Sequence, residues 1–148
     1  MITSVVIATD GSASVDRAIA VATDIASRFE ATIHAVYVLD EGEIASTPEA
    51  IRADLQDSLE EQGKEALNRV SDETDINVQT AVRTGQPAAE IIEYVQEVDA
   101  DLVAIGTRGR HGEHRLMIGS VAEALVRRCP IPVLTVRQLS NPSGSADT

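Results

Sequence analysis

Short apolar runs along this chain alternate with longer stretches in which apolar residues recur three and four positions apart. The apolar runs end at turn-forming residues, a combination typical of strands buried on both faces. They predict strands at residues 5–8, 32–39, 77–83, 101–105 and 133–137. The wider spacing is that of amphipathic helices, and it predicts helices at residues 15–29, 47–70, 91–98 and 121–128.

The regular alternation of strands and helices predicts an α/β fold, in which a parallel sheet is covered by helices on both faces. Residues 77–83 alternate apolar with polar side chains, so we expect this strand at an edge of the sheet. Ligands bind such sheets outside the carboxyl ends of the strands, where the strand order reverses. We expect one domain over residues 1–138, followed by a frayed polar tail over residues 139–148.

Local signals predict how several helices begin. Thr47, followed by a proline, predicts a helix capped by the threonine hydroxyl. Ser120, followed three residues later by a glutamate, predicts a capping box. Residues 40–43 predict an acidic turn, and Gly63 is expected to weaken its helix slightly.

The loop before the last helix carries glycines at positions that suit a ligand. Gly106, Gly109 and Gly119 stand where the backbone turns tightly, or where a ligand approaches the main chain without meeting a Cβ. Free amides near Ser120, at the positive end of the helix dipole, favour an anion. A phosphate is the anion that this arrangement suits best.

The same loop is cationic in a chain whose net charge is -12. Its basic residues are Arg108, Arg110, His111, His114 and Arg115, against the single acid Glu113. A cationic island beside a helix N-terminus favours the phosphate interpretation. The alternative is a solvated arginine-rich loop whose glycines only form turns. The two histidines lack a third ligand, so a metal site there is the weaker interpretation.

The overall charge indicates the setting of the protein. Twenty-four acids oppose twelve bases, and Lys64 is the only lysine. This excess of carboxylates disfavours binding to nucleic acid or to anionic membranes. High salt would screen the self-repulsion, so we expect a salt-rich cytoplasm, the alternative being an ordinary acidic cytosolic protein. We recognise no signal peptide and no membrane span, and we expect Cys129 to be a small buried thiol.

These motifs resemble those of the universal stress protein family, specifically its nucleotide-binding branch. The resemblance extends from the first strand to Arg137. It rests on Asp10-Gly11-Ser12 after the first strand, and on Gly106, two residues, Gly109, nine residues and Gly119-Ser120. It implies a three-layer flavodoxin-like (adenine nucleotide alpha hydrolase-like) fold with strand order 3-2-1-4-5. It further implies a homodimer joined through the last strand, from Val133 to Arg137, and ATP between strands one and four.

The resemblance also implies roles for single residues. Those at the adenine end would be Ala8, Thr9, Asp10 and Val38. Those at the ribose and phosphates would be Gly106, Gly109, Gly119, Ser120 and Val121. By their charge, Arg108 and Arg110 are further candidates for phosphate contact. Asp10 is the candidate ligand for a Mg²⁺ or Mn²⁺ that bridges the phosphates.

Each role has an alternative. Asp10 could simply cap the following helix, and the Ser120 hydroxyl could serve as an N-cap while its amide stays available to a ligand. Glu113 stands where relatives commonly carry an apolar residue, so we expect it to face solvent or to pair with Arg110 or Arg115.

Three functions are consistent with this pattern. The preferred one is a cytoplasmic, ATP-binding, homodimeric regulatory protein of the stress response, whose protein partner the sequence does not identify. The second is a slow metal-dependent ATPase. The chain has no GxxxxGK[ST] loop and no evident base paired with a nucleophile, which argues against efficient catalysis. The third is a nucleotide-free interaction module of the same fold, against which the intact glycine pattern argues.

Overall fold

The computed structural model describes residues 1–12, 15–107 and 119–137. Within them, the elements in chain order are β1 (Ser4–Ala8), α1 (Asp16–Phe29), β2 (Thr32–Asp40), α2 (Glu41–Ala45), α3 (Glu49–Asp72), β3 (Val78–Gly85), α4 (Pro87–Glu97), β4 (Leu102–Gly106), α5 (Ser120–Arg128) and β5 (Val133–Val136). All predicted strands and helices are present, and α2 is additional. The tail expected at residues 139–148 lies outside the described part of the chain.

The strands form one parallel sheet in the order β3-β2-β1-β4-β5. Ala8, at the end of β1, is in register with Val36 of β2 and with Ile105 of β4. The order therefore reverses beside β1, and the carboxyl ends of β1 and β4 lie side by side. The predicted α/β fold, its strand order and the edge position of β3 are confirmed.

Successive residues of β1 face opposite sides of the sheet, and two long helices cover each side. Val5 and Ile7 pack with α1 and α3, whereas Val6 and Ala8 pack with α4 and α5. β1 lies at the centre of the sheet and is buried along its whole length. This burial on both faces explains why none of its residues after Ser4 is polar. The predicted helical stripes are buried except at positions such as Phe29, which is 47% exposed.

The capping box predicted at Ser120 does not form. Ser120 is the first residue of α5, the N-cap is Gly119, and no side chain caps the helix. The amide of Glu123 donates to the Gly119 carbonyl at 2.9 Å. A capping hydroxyl must come from the residue before the helix, and here that residue is glycine.

The acidic turn predicted at residues 40–43 is instead the start of a short helix. The Asp40 carboxylate accepts from the Gly42 amide at 2.9 Å and so caps α2. The prediction that Thr47 caps the next helix is also wrong, because Pro48 occupies the N-cap of α3. The Thr47 hydroxyl donates to the Glu43 carbonyl at 2.9 Å, so Thr47 closes α2 and does not open α3.

Two expectations about solvent and membrane can be compared with the fold. Cys129, expected to be buried, is only half-buried at the end of α5, where it packs against the core on the α4/α5 side. Over the described ranges, no helix combines the length and the apolar character that crossing a bilayer requires.

Candidate functional site

The turn after β1 is fixed by its own polar side chains. The Thr9 amide continues the strand by donating to the Val36 carbonyl at 3.1 Å. The Thr9 hydroxyl accepts from the Gly11 amide at 3.1 Å, and the Asp10 carboxylate accepts from the Ser12 amide at 2.9 Å. Gly11 has a φ of 85°, which favours glycine. These contacts hold Asp10 half-buried beyond the carboxyl end of β1.

The interpretation of Asp10 as a helix cap is wrong. The N-cap of α1 is Val15, and no side chain bonds to that end of the helix. One oxygen of Asp10 serves the turn instead. A carboxylate has two oxygens and about four lone pairs, so Asp10 keeps acceptor capacity toward a ligand.

The N-terminus of α5 opens at the same edge of the sheet. The first amide with an acceptor inside the helix is that of Glu123, so the amides of Ser120, Val121 and Ala122 have none. Such amides, at the positive end of the helix dipole, are suited to an anion. Ser120 is exposed, and this end of the helix is therefore accessible to solvent.

Gly119 differs from Ser120 and Val121 because its amide already has a partner. That amide donates to the carbonyl of Thr107, the residue after β4. The Thr107 amide in turn donates to the Val136 carbonyl of β5 at 3.2 Å. The start of α5 is thus tied to the end of β4, and Gly119 would have to leave Thr107 in order to donate to a ligand.

The predicted site residues that the structure describes lie at one end of the sheet. Ala8, Thr9 and Asp10 end β1, and Gly106 ends β4 beside them. Val38 lies two residues beyond Val36, the partner of Ala8, and so at the same end of β2, half-buried against the core on the α4/α5 side. The remaining predicted residues lie outside the described ranges: Arg108, Gly109, Arg110, His111, Glu113, His114 and Arg115.

Asp10 has few protein groups to help it hold a metal ion. In the part of the chain that the structure describes, no three His, Cys, Asp or Glu side chains cluster as metal ligands would. A Mg²⁺ at Asp10 would need phosphate oxygens and waters to complete its six ligands, which is how Mg²⁺ is commonly bound. Asp10 therefore suits a metal ion that nucleotide phosphates also bind, and it does not suit a metal held by protein ligands alone.

A second opening, on the α3 side of the same turn, was missed by the sequence analysis. It is a cavity of about 250 Å³ between the β1–α1 turn and α3, and we name it the α3 cavity. Among the described residues, its lining consists of Asp10, Gly11, Gln62, Glu65, Ala66 and Arg69. The turn and the helix are far apart in sequence, so no local pattern indicates that they enclose a space.

Comparison with known proteins identifies relatives over nearly the whole chain. The model of the universal stress protein family matches residues 1–137. Universal stress protein MJ0531 of Methanocaldococcus jannaschii is 36% identical over 138 residues, which cover 90% of this chain and 81% of that protein.

Solved structures are similar over the same length. Hypothetical protein MJ0577 has a TM-score of 0.82 at 23% identity, covering 95% of this chain and 99% of that one. A universal stress protein in complex with cAMP has a TM-score of 0.68 at 25% identity, covering 93% and 98% of the two chains. With a family match over residues 1–137 and a shared fold, this chain belongs to the universal stress protein family.

Proposed function

We propose that this protein binds an adenine nucleotide, specifically ATP, at the carboxyl ends of β1 and β4. The observation that carries the proposal is the position of the α5 N-terminus. Its amides open beside the Asp10 turn, at the point where the strand order reverses. Both the helix end and the reversal are places where α/β proteins bind phosphorylated ligands.

Each part of the nucleotide has a candidate surface. The triphosphate would accept hydrogen bonds from the amides of Ser120 and Val121, with Arg108, Gly109 and Arg110 as further candidates from the sequence. The base would lie toward Val38, whose half-buried apolar side chain suits a ring. Asp10 would contact the adenine end or hold a divalent ion on the phosphates.

The relatives support the choice of an adenine nucleotide. The family member solved with cAMP carries a ligand that combines adenine, ribose and phosphate. Those are the three groups that the carboxyl ends of β1 and β4 would accommodate in this proposal. ATP is our choice because the α5 N-terminus and the cationic residues of the glycine loop suit several phosphate groups better than one.

We further propose that nucleotide occupancy regulates what the protein presents to a partner. In this proposal the protein is a cytoplasmic homodimer joined along the edge strand β5, in the region from Val133 to Arg137. The carbonyl of Arg137 accepts a hydrogen bond from Arg17 of α1, which fixes the end of β5 to the body of the protein. The protein partner is a separate molecule that recognises the nucleotide-bound form.

Hydrolysis of ATP is the second candidate function. It would require a metal ion at Asp10 and a water that some group activates. Asp10 is half-buried, and one of its oxygens is engaged by Ser12. Among the described residues no three metal ligands cluster, so the ion would be held mainly by the nucleotide, and we propose binding without efficient turnover as the main function.

The test is a thermal-shift titration with ATP and Mg²⁺ or Mn²⁺ in molar KCl, comparing the wild type with Gly119→Val. Gly119 has φ -64° and ψ 156°, values that any residue adopts, so valine adds bulk at the helix start without backbone strain. ATP binding to the folded state should raise the melting temperature of the wild type. At a hundredfold excess of ATP over Kd, binding adds about 2.7 kcal/mol to the free energy of unfolding. Gly119→Val should lose this response.

The matched control is Val126→Ala, an exposed position on the same helix, which should keep the ATP response. Equilibrium dialysis with labelled ATP separates a lost response from a general loss of stability. No shift and no bound ATP in the wild type would overturn the nucleotide proposal and leave the nucleotide-free interaction module as the better interpretation.

A further inference from the structure

We propose that the α3 cavity binds a small polyhydroxylated molecule without negative charge, such as a free monosaccharide, on the side of the Asp10 turn opposite the nucleotide site. The cavity measures about 250 Å³. At ~30 Å³ for each water in the liquid, that volume holds roughly eight waters. It is too small for a nucleotide and has room for one hydroxylated sugar ring.

The wall formed by the β1–α1 turn is preorganised. Asp10 is fixed by the Ser12 amide and Gly11 by the Thr9 hydroxyl, so neither moves freely when a ligand enters. A Cβ added to Gly11 would lie 3.6 Å from the Ala66 Cβ, across the space between turn and helix. The glycine therefore keeps the cavity open, and its fixed backbone reduces the ordering cost of binding.

The wall formed by α3 carries Arg69, which is also held in place. Its Nη2 donates to the Asp16 carboxylate of α1 at 2.7 Å, and its Nε lies 3.4 Å from the Glu73 carboxylate. A guanidinium has five N–H donors, so Arg69 keeps donor capacity beyond these two contacts, and it lines the cavity.

The described lining matches hydroxyl groups better than it matches an anion. The Asp10 and Glu65 carboxylates accept hydrogen bonds, the Gln62 amide both donates and accepts, and Arg69 donates. A hydroxyl can donate to one of these groups while it accepts from another. An anion would be repelled by the Asp10 and Glu65 carboxylates, which Arg69 does not balance because its guanidinium already pairs with Asp16 and Glu73. Ala66 provides an apolar surface for the carbon skeleton.

The cavity and the proposed nucleotide site lie on opposite sides of the Asp10 turn. Ala66 belongs to the core on the α1/α3 side of the sheet. Val38 and Val121 pack on the α4/α5 side. The two ligands would share the Asp10 carboxylate, which has two oxygens and about four lone pairs and can accept from both sides.

D-glucose is a suitable probe, titrated by isothermal calorimetry with and without saturating ATP. The variants are Gln62→Ala and Glu65→Ala, both at exposed helix positions that tolerate alanine. Loss of one hydrogen-bonding group should weaken glucose binding about tenfold in each. The control is Glu61→Ala, which removes the same charge from an exposed position of α3 outside the lining, and which should bind glucose like the wild type.

Charged sugars test the predicted exclusion of anions. D-glucuronate should bind more weakly than glucose, and D-glucosamine at least as tightly, because the lining carboxylates are not balanced by Arg69. Tighter binding of glucuronate than of glucose would overturn the assignment. Glucose should bind saturably below the concentrations at which sugars act as excluded osmolytes. A titration without such binding would overturn the proposal outright. Gly119→Val should keep glucose binding, so failure of the nucleotide proposal and failure of this one are distinguishable.

Discussion

Tyr37 is the largest fully buried side chain of the protein among the described residues, and its ring lies directly against the backbone of α3. A Cβ added to Gly63 would lie 2.6 Å from the Tyr37 Cδ2 and 3.0 Å from its Cε2. The sequence suggested that Gly63 is a mild weakness of the helix. In the structure it is the position where helix and ring approach most closely, so the glycine is required there.

Gly63→Ala should therefore destabilise the protein, although alanine is the better helix former by about 1 kcal/mol. The added methyl must push a buried ring, and overpacking of this kind costs about 1–3 kcal/mol. Urea unfolding followed by far-UV circular dichroism measures the change. Ser58→Ala, at an exposed position of the same helix, should be neutral or slightly stabilising. An unchanged or higher urea midpoint for Gly63→Ala would contradict the packing argument.

At the scale of elements, the edge strand β3 is attached to α4 by an arginine. Arg83 makes two hydrogen bonds of 2.7 Å to the Glu97 carboxylate and lies 5.0 Å from the centroid of the Tyr94 ring. The hydrogen bonds lower the pKa of Glu97 and raise that of Arg83. His34 of β2 meets the same Tyr94 ring edge-on, with the centroids 6.2 Å apart. Arg83 and His34 thus contact one ring from two strands.

His34 makes this junction sensitive to acid. It is 8% exposed, and among the described residues its Nδ1 has no hydrogen-bond partner. Burial lowers the pKa of the imidazole from its unfolded value of 6.5. Between the two pKa values the native state binds fewer protons than the unfolded chain. The free energy of unfolding therefore falls as pH decreases below 6.5, by up to about 1.4 kcal/mol for each unit crossed.

Urea unfolding between about pH 7.5 and pH 5 measures this slope in the range where histidine titrates. The depressed pKa values of Glu97 and Asp101 also predict acid destabilisation, but it begins near their unfolded values of 4.5 and 3.8. His34→Leu should remove the slope above pH 5 and leave the other two histidines in place. An equal slope in the variant would show that a different group is responsible.

The sequence was sufficient for the central strands β1 and β4 because both are short apolar runs that are buried on both faces. Val5–Ala8 and Leu102–Gly106 are buried along their full length, and such runs between turn residues have few other interpretations. The strand order came from the resemblance to a family, since periodicity alone does not say which strands are neighbours. Alternating side chains on residues 77–83 did identify β3 as an edge.

Two of the errors lie where a displacement of one residue decides which group caps a helix. Gly119 and Ser120 can both precede a helix, and the sequence does not reveal which of them takes the non-helical backbone. Thr47 looks like a cap because of the proline after it, but its hydroxyl reaches the turn behind it. Contacts between distant elements, such as the α3 cavity and the fit of Gly63 to Tyr37, carry no local signal.

At the scale of the whole molecule, charge is the dominant feature. The net charge is -12, and the long helix α3 places many of the acids in water. On it, Asp57 and Glu61 are exposed and four residues apart, as are Glu61 and Glu65. Like charges at that spacing destabilise a helix by about 0.2–0.5 kcal/mol per pair. Exposed ion pairs such as Arg28–Asp24 offset little of this.

We therefore expect the free energy of unfolding to rise as KCl is increased from dilute buffer toward molar concentrations. The Debye length shortens from about 10 Å at 0.1 M to about 3 Å at 1 M, which removes the repulsion between exposed acids while leaving the apolar core unchanged. Urea midpoints at a series of KCl concentrations measure the effect. The triple variant Asp54→Asn, Asp57→Asn, Glu61→Gln removes three exposed charges from α3, so it should be more stable than the wild type in dilute buffer and respond less to salt. If charge repulsion sets the response, the free energies of unfolding of the two proteins should converge at high KCl. A wild type that loses stability as salt is added would show that its ion pairs outweigh its net charge. That result would contradict the expectation of a salt-rich cytoplasm.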